Sequence, residues 1–376
     1  MCVSRFTTKM SEEIEKHVYR RYEILSKLGK GAYGIVWKAV DKKTRKTLAL
    51  KKCFDAFRNA TDAQRTYREI QYLKHLEGHD NIVRLIDVLK AENDKDVYLT
   101  FDYMETDLHA VIRAGILEDI HKQYVIYQLL KALKYIHSAE LLHRDVKPSN
   151  LLLNSDCHLK VCDFGLCRSI AEKQGPNPVL TDYVATRWYR APEILLGSTS
   201  YTKGVDVWSV GCILGEMLHD KPVFPGTSTM NQLEKIIEVT GAPTREDKAS
   251  IQSPFADTML QSIPTPPQVS LSALLPKASA PAIDMMTKCL MFSPAARPTV
   301  VSLLEMEYVA QFHQPQNPEP TAKSVCNIAI DDNTKMTADD YRKKIYKDIN
   351  MKKKSKLKQR RGGGEANGGA QAALKA

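Results

Sequence analysis

The sequence predicts an α+β fold in two lobes: a β-rich first lobe with one helix, followed by a mainly α-helical second lobe. Three observations carry that expectation. At 376 residues and 43% hydrophobic content, the chain can bury more core than one small domain needs. From Tyr22 to about Tyr103 it is written in short β-branched and aromatic runs bounded by Gly, Asn or Asp. From Met104 onward the apolar spacing becomes helical.

The strand-like runs are "YEILSKLG", "GIVWKAVD", "TLALKK", "NIVRLIDVLK" and "VYLTFDYM". One helix interrupts them, "TDAQRTYREIQYLKHLEG", with an N-cap candidate at its start, Tyr67, Ile70, Leu73 and Leu76 at three-residue steps, and Gly78 as a stop. "DIHKQYVIYQLLKALKYIHS" opens the helical part, and further helical runs cover 204 to 219, 230 to 240, 281 to 291 and 299 to 308. Between about 241 and 281, proline-punctuated text predicts an irregular surface insert rather than a further domain. The compact body ends near residue 313, before "QPQNPEPTAK". "TADDYRKKIYKDIN" then predicts one more helix, capped by Thr337 with Asp340, that docks Tyr341, Ile345 and Ile349 back on the body. The expected divisions are therefore a 1–19 N-terminal segment, a 20–313 body (lobes about 20–103 and 104–313), a 314–350 extension, and a basic, Gly-rich, disordered tail over 351–376.

The net charge of +10 raises the question of a polyanion partner, and its distribution answers it. Between Tyr341 and Arg361 there are eleven Lys and Arg against one acid, Asp348, a surplus equal to that of the whole chain. The body is near neutral, so nucleic acid binding is expected of the tail or not at all. The tail admits three readings: a solvated end, a nuclear localisation signal, or a contact for RNA or an acidic partner. No run of apolar residues reaches the roughly 18 needed to span a bilayer, and the first residues lack a secretory core, so no membrane association is expected. Cys2 alone is poor support for a lipid anchor. Eight cysteines without CxxC pairs or His partners at zinc spacing suit reduced thiols in the cytoplasm or nucleus, with no disulfide and no structural metal expected.

The chemistry begins at "GKGAYGIV", where Gly29, Gly31 and Gly34 stand in G-x-G-x-x-G-x-V form. Such a turn lets backbone N–H groups approach phosphates, although the same spacing serves dinucleotide folds and plain hairpins. A dinucleotide motif would open a helix here, whereas "GIVWKAV" continues as strand. Lys51 ends the next strand, and Glu69 on the following helix supplies a carboxylate to hold that lysine against a nucleotide's phosphates. "LLHRDVKPSNLLL" and "LKVCDFGLCR" then bring His143, Arg144, Asp145, Lys147, Asn150, Asp163, Phe164 and Gly165. Phosphoryl transfer needs a carboxylate to receive the hydroxyl proton, a cation near the transferring group and oxygen ligands for Mg2+. Asp145 fits as base, Lys147 as the cation beside the γ-phosphate, and Asn150 and Asp163 as metal ligands.

On these motifs, residues 20 to 313 resemble a eukaryotic protein kinase, and Asp206 in "DVWSVG", Glu193 in "APE" and Arg297 in "AARPT" match that family's anchoring positions. The resemblance implies the bilobal protein kinase fold, with Mg·ATP held under the glycine loop. It implies an ATP site of Leu28, Gly29, Lys30, Gly31, Ala32, Tyr33, Gly34, Val36, Ala49, Lys51, Phe101, Asp102, Met104 and Leu152, with Phe101 as gatekeeper and a hinge at Asp102 to Met104. Lys147, two residues after Asp145, is the family's serine/threonine pattern. Cys162, directly before Asp163, reads either as a packing thiol or as a reactive one at the ATP site.

Within the family, "TDYVATRWYRAPE" resembles the T-x-Y lip of mitogen-activated protein kinases, and the 241–281 stretch their insert. "FDAFRNATDAQRTYREI" and "YMETDLHAVIRA" are similar to the atypical extracellular signal-regulated kinase seven and eight subgroup. The resemblance implies phosphorylation of Thr181 and Tyr183, with Arg68, Arg144 and Arg168 receiving phosphothreonine and Arg187 and Arg190 phosphotyrosine. It implies activation by the chain itself or by an upstream kinase, reversal by phosphatases, and protein substrates in which Pro follows the acceptor Ser or Thr. Three departures stand out: Asp182 replaces the usual glutamate of the lip, Cys162 directly precedes the metal aspartate in "CDFG", and Gln314 and Asn317 replace the acidic docking pair, leaving Glu319 as the acid nearby. The competing class is a kinase-fold scaffold with little catalysis, against which Lys51, Asp145, Asn150 and Asp163 are all present.

Overall fold

The computed structural model describes residues 13–31, 34–171, 186–198, 200, 202–264, 266–330 and 334–365, with side chains as far as Met351. These residues form two compact units, one drawn from 1–67, 85–103 and 335–376, the other from 68–84 and 104–334.

The first unit is built on helix α1 (Lys16–Arg21) and strands β1 (Tyr22–Gly31), β2 (Gly34–Asp41) and β3 (Thr47–Cys53); after helix α2 (Ala60–His75) come β4 (Leu85–Lys90) and β5 (Val97–Asp102). The strands form one antiparallel sheet in the order β1-β2-β3-β5-β4. Strand residues alternate between faces, and here the alternation separates packing from chemistry. Ile35, Trp37, Ala39, Leu48 and Leu50 join Ile14, Val18, Tyr22 and Tyr98 in a buried cluster. Val36, Ala49 and Lys51 occupy the intervening positions and are only partly buried. The segment before residue 20 is thus part of this core from Ile14 on. Lys52, 2% exposed, fastens it by donating to the Glu13 carbonyl at 2.8 Å while facing Asp96 at 3.2 Å.

The three-residue steps expected on α2 are buried, at Tyr67, Ile70, Leu73 and Leu76. Its cap is Asn59, whose side chain accepts the Asp62 N–H at 2.9 Å, two residues ahead of the Thr61 that the sequence suggests. Gly78 has φ of +103°, which a β-carbon would strain. Residues 79–83 belong to the second unit and are stitched into it: Asn81 Nδ2 donates to Gln128 Oε1 and the Leu159 carbonyl, and the Val83 N–H donates to the Val161 carbonyl.

The second unit starts with β6 (Thr106–Asp107), α3 (Leu108–Ala114) and α4 (Asp119–Ser138), followed by the short strands β7 (Leu141–Leu142), β8 (Leu151–Leu153), β9 (Leu159–Val161) and β10 (Arg168–Ser169). Two small sheets, β6-β8-β9 and β10-β7, carry the loops between those strands. Beyond them lie α5 (Pro192–Leu195), α6 (Gly204–His219) and α7 (Thr229–Thr240). Helix α6 is buried almost all round, from Val205 to Met217, as expected for a helix at the centre of a helical body.

The insert departs from the irregular text predicted for it. It folds into α8 (Arg245–Ile251), α9 (Ala256–Gln261) and α10 (Leu271–Leu274), which bury Ile251, Ala256 and Leu260, ahead of α11 (Ala280–Cys289) and α12 (Val300–Leu304). The capping side chains explain the difference: Thr244 with Asp247 closes a capping box, and Ser270 and Ser279 cap α10 and α11. Each proline sits outside a helix or in its first turn, where it costs no hydrogen bond.

Helix α13 (Ala338–Glu365) returns to the first unit. Thr337 accepts the Asp340 N–H at 3.2 Å and donates to its carboxylate at 2.6 Å, and Tyr341, Ile345 and Ile349 are buried as expected. Tyr341 packs on Tyr67 and Tyr346 on Phe57. The helical backbone continues to Glu365, into the 351–376 stretch for which the sequence predicts disorder. Over 351–361 most residues are Met, Lys, Leu, Gln and Arg, with helix propensities close to that of alanine, and an established helix extends more cheaply than a new one starts; Gly362, Gly363 and Gly364 have no such propensity. Residues 366–376 lie outside the described part. No helix among the described residues is long and apolar enough to cross a membrane.

Candidate active site

In the first unit Gly29, Val36, Ala49, Lys51 and Phe101 share the sheet face opposite the buried cluster, whereas Lys30 and Asp102 pair with Ile35 and Leu48 of the cluster face. Val36 pairs with Lys51 and Gly29 with Val36, while Ala49 pairs with Phe101 across β3 and β5. Phe101 is 8% exposed, Asp102 half-buried and Leu28 exposed at the strand edge. The glycines divide by role. A β-carbon at Gly29 or Gly31 would meet nothing within 4 Å, so those positions leave room above the sheet. A β-carbon at Gly34 would overlap the Lys52 carbonyl, so this glycine answers to the approach of β2 and β3. Lys30 is exposed, and Ala32 and Tyr33 lie outside the described residues.

The second unit assembles the catalytic-loop residues. Lys147 Nζ lies 2.7 Å from Asp145 Oδ2, and Asn150 Nδ2 donates to the same oxygen at 3.0 Å and to the Asp145 carbonyl at 2.8 Å. Burial pushes the Asp145 carboxyl above its ordinary value, Lys147 draws it back, and the charge of Asp163 adds to the upward push. With its nitrogen committed to Asp145, the Asn150 amide keeps its oxygen for another partner. Asp163 has φ of +63° and accepts the Gly165 N–H at 3.4 Å. Two oxygen donors of this kind fit a hard divalent cation such as Mg2+.

Arg144 also lies in the left-handed region, at φ +66°. Strain of that kind persists only where the surroundings over-determine it. Here the fully buried Asp206 accepts the His143 N–H at 3.0 Å and the Arg144 N–H at 2.8 Å, and pairs with His137 Nε2 at 2.8 Å. Burial by itself would raise the Asp206 carboxyl, but His137, the charge of His143 and the Arg144 amide outweigh it and hold it low. His137 has no role in the sequence reading. Its only signal is a polar residue on the buried face of α4, and its partner is 69 residues away.

The Asp163 segment is docked by backbone groups. The Cys162 N–H donates to the Asn150 carbonyl at 2.9 Å, His143 Nε2 meets the Cys162 carbonyl at 3.0 Å, and the Phe164 ring stands edge-on to His143. Cys162 itself is half-buried, and the seven described cysteines are free thiols. Met104 is buried and Leu152 half-buried. Glu69 and Arg68 are buried on α2. Arg168 pairs across β10 with Leu142, two residues before Arg144.

The segment after the lip is fastened by its own side chains. Arg187 donates to the Thr227 carbonyl at 3.0 Å, Trp188 to the Gly226 carbonyl at 3.0 Å, and the Tyr189 hydroxyl to Glu216 at 2.6 Å. Glu193, 1% exposed, forms two parallel hydrogen bonds with Arg297, at 2.7 and 2.8 Å. Arg190 is half-buried, and Thr181, Asp182, Tyr183 and Ala185 lie outside the described residues. The docking segment has no exposed acid at its expected positions. Glu319, 6% exposed, is held by Lys134 at 3.2 Å and His313 at 2.8 Å, while Gln314 and Asn317 are exposed.

Comparison with known proteins agrees with this geometry. The protein kinase domain family matches residues 22–309. Extracellular signal-regulated kinase 2 of Dictyostelium discoideum is 62% identical over 93% of this chain and 95% of its own length. Mitogen-activated protein kinase 15 of Xenopus laevis is 52% identical over 93% of this chain and 60% of its own length. Extracellular signal-regulated kinase 7 of Drosophila melanogaster is 45% identical over 89% of this chain and 37% of its own length.

Proposed function

We propose a division of catalytic labour, a substrate preference and a mode of activation for this chain, which belongs to the protein kinase family and, within it, to the mitogen-activated protein kinases. It is a protein serine/threonine kinase with ATP as phosphate donor. The observation that carries the mechanism is the Asp145, Lys147 and Asn150 cluster, in which one carboxylate oxygen is held at 2.7 and 3.0 Å by two donors.

Asp145 receives the proton of the acceptor hydroxyl, its carboxylate aimed by Asn150 and its charge tempered by Lys147. As the hydroxyl oxygen bonds to the γ-phosphorus and the bond from phosphorus to the β–γ bridging oxygen breaks to release ADP, Lys147 stands beside the charge that develops on the phosphoryl oxygens. Asn150 and Asp163 would hold Mg2+, which when bound neutralises phosphate charge. Lys51 orients the α- and β-phosphates beneath Gly29 and Gly31.

Substrates carry proline after the acceptor Ser or Thr. The reading is supported by the Arg187–Tyr189 turn, whose three side chains are all hydrogen-bonded and which therefore presents a rigid wall. A backbone N–H that finds no acceptor there costs about 1–3 kcal/mol, and proline has no N–H to leave unpaired. Peptides differing only in Pro or Ala after the acceptor should differ in kcat/KM by about 10-fold or more. Equal values would remove the basis for the preference.

Activation comes from phosphate on Thr181 and Tyr183, added by the chain itself. Each phosphate brings about −1.5 to −2 charges, which Arg68, Arg144, Arg168, Arg187 and Arg190 are the cations to receive. Incubation of the purified chain with ATP, followed by phosphosite mapping, should find both sites modified, and an Asp163→Ala control should leave them bare. Equal phosphate on that control would assign the step to another kinase.

A further inference from the structure

Among the described residues, Glu15, His17 and Glu92 are the group of His, Cys, Asp or Glu side chains whose ligand atoms all lie within 4.8 Å of one another. His17 Nδ1 is 3.3 Å from Glu15 Oε2 and 3.2 Å from Glu92 Oε1. Both ring nitrogens are shut off from solvent, and neither makes a hydrogen bond. A proton on Nδ1 lies along one direction and serves one carboxylate well, whereas two carboxylates converging on one nitrogen suit a cation that all three can share. Nitrogen to oxygen separations of this size match the edge of a tetrahedron whose ligands stand about 2.0–2.1 Å from a central Zn2+.

We propose that Glu15, His17 and Glu92 form a Zn2+ site that clips the N-terminal segment to the turn between β4 and β5. Cysteine spacing gives no sign of such a site because it uses no cysteine. One imidazole and two carboxylates form a mixed nitrogen and oxygen set that accepts zinc and leaves a position for water.

The ligands are held in place from outside the cluster, as a metal site requires. The Glu92 N–H donates to Glu15 Oε2 at 2.8 Å, and the Glu15 N–H donates to the Tyr98 hydroxyl at 3.3 Å. The Tyr98 ring stands edge-on to His17 at 6.1 Å, which fixes the imidazole plane. Lys52 anchors the chain on the other side of Glu15 through Glu13. The Glu92 side chain is 66% exposed and gives the ion a route in from solvent. The same turn carries the Asp94 carbonyl, which accepts Arg342 of α13, and Lys90, which lies over Tyr346. A metal here would tie two separate stretches of the first unit at the corner where α13 also docks.

The test uses the full-length chain stripped of metal, with Zn2+ titrated by calorimetry and Co2+ used as an optical substitute. Zn2+ should bind at one per chain, and the Co2+ complex should show the tetrahedral ligand-field bands without thiolate charge transfer. His17→Ala and Glu92→Gln should each weaken Zn2+ binding on the order of 100-fold. Because Glu92 is mostly exposed, Glu92→Gln should keep the metal-free melting temperature unchanged, and it decides the matter if His17→Ala folds poorly. Zn2+ affinity unchanged in Glu92→Gln, or a thiolate band that assigns the ion to cysteines, would overturn the proposal.

Discussion

Asp145→Asn should lower kcat by about 10²–10⁴-fold while leaving ATP affinity and folding nearly unchanged. The substitution conserves shape, and the asparagine oxygen can still accept from Lys147 and Asn150, which now meet Asp145 Oδ2 at 2.7 and 3.0 Å. What it removes is the ability to take a proton. Steady-state kinetics beside a nucleotide-binding measurement separates the two, and a variant within a few-fold of the parent in kcat would take Asp145 out of the role of base.

The same residue predicts a pH profile. Burial raises the Asp145 carboxyl, so the working, deprotonated form is lost as pH falls through a pKa above the ordinary carboxylate value. The acid limb of kcat/KM should therefore lie on the neutral side of a free aspartate. Lys147 lowers that pKa, so Lys147→Met should move the acid limb further toward neutral pH as well as slowing the reaction.

The second large effect is structural. Arg297 spends all five of its N–H donors: four go to Glu193 Oε1 and Oε2 and to the Gly204 and Phe292 carbonyls, and the fifth to Met291. Its guanidinium also lies over the Trp208 ring. Arg297→Ala leaves a buried carboxylate unpaired, and removing one partner of such a pair costs about 3–5 kcal/mol. Chemical denaturation followed by tryptophan fluorescence would read the loss. Glu193→Leu combined with Arg297→Met removes both charges and should recover part of it. Recovery should stay incomplete because three backbone carbonyls still lose their donor. The exposed pair Lys288 and Asp284 serves as the control, since breaking it should be close to neutral. A near-neutral Arg297→Ala would mean that the pair does not brace the helical body.

Several parts of this structure could be read from local text because local chemistry decides them. The three-residue steps of α2, the Thr337 cap and the buried Tyr341, Ile345 and Ile349 follow from periodicity and hydrogen bonding within a few residues. The strands were legible from their β-branched and aromatic composition, which suits a pleated, half-buried surface. In the insert the prolines suggest irregular chain, but the Thr244, Ser270 and Ser279 caps between them start helices. At Gly34 the packing constraint comes from the Lys52 carbonyl on the neighbouring strand, which no local spacing displays.

The sequence by itself determined which residues are the candidates for the chemistry. The proposed base, lysine, metal ligands and glycines are specified by residue type and spacing along a single loop or strand, and that is the information a chain displays in order. Only the tertiary structure decided how those residues are held. His137 reaches Asp206 across 69 positions, Arg297 reaches Glu193 across 104, and Glu319 is taken up by Lys134 and His313 instead of facing solvent. Burial turns such pairings from near-neutral surface contacts into interactions of several kcal/mol, and burial is a property of the packed chain that no local stretch contains.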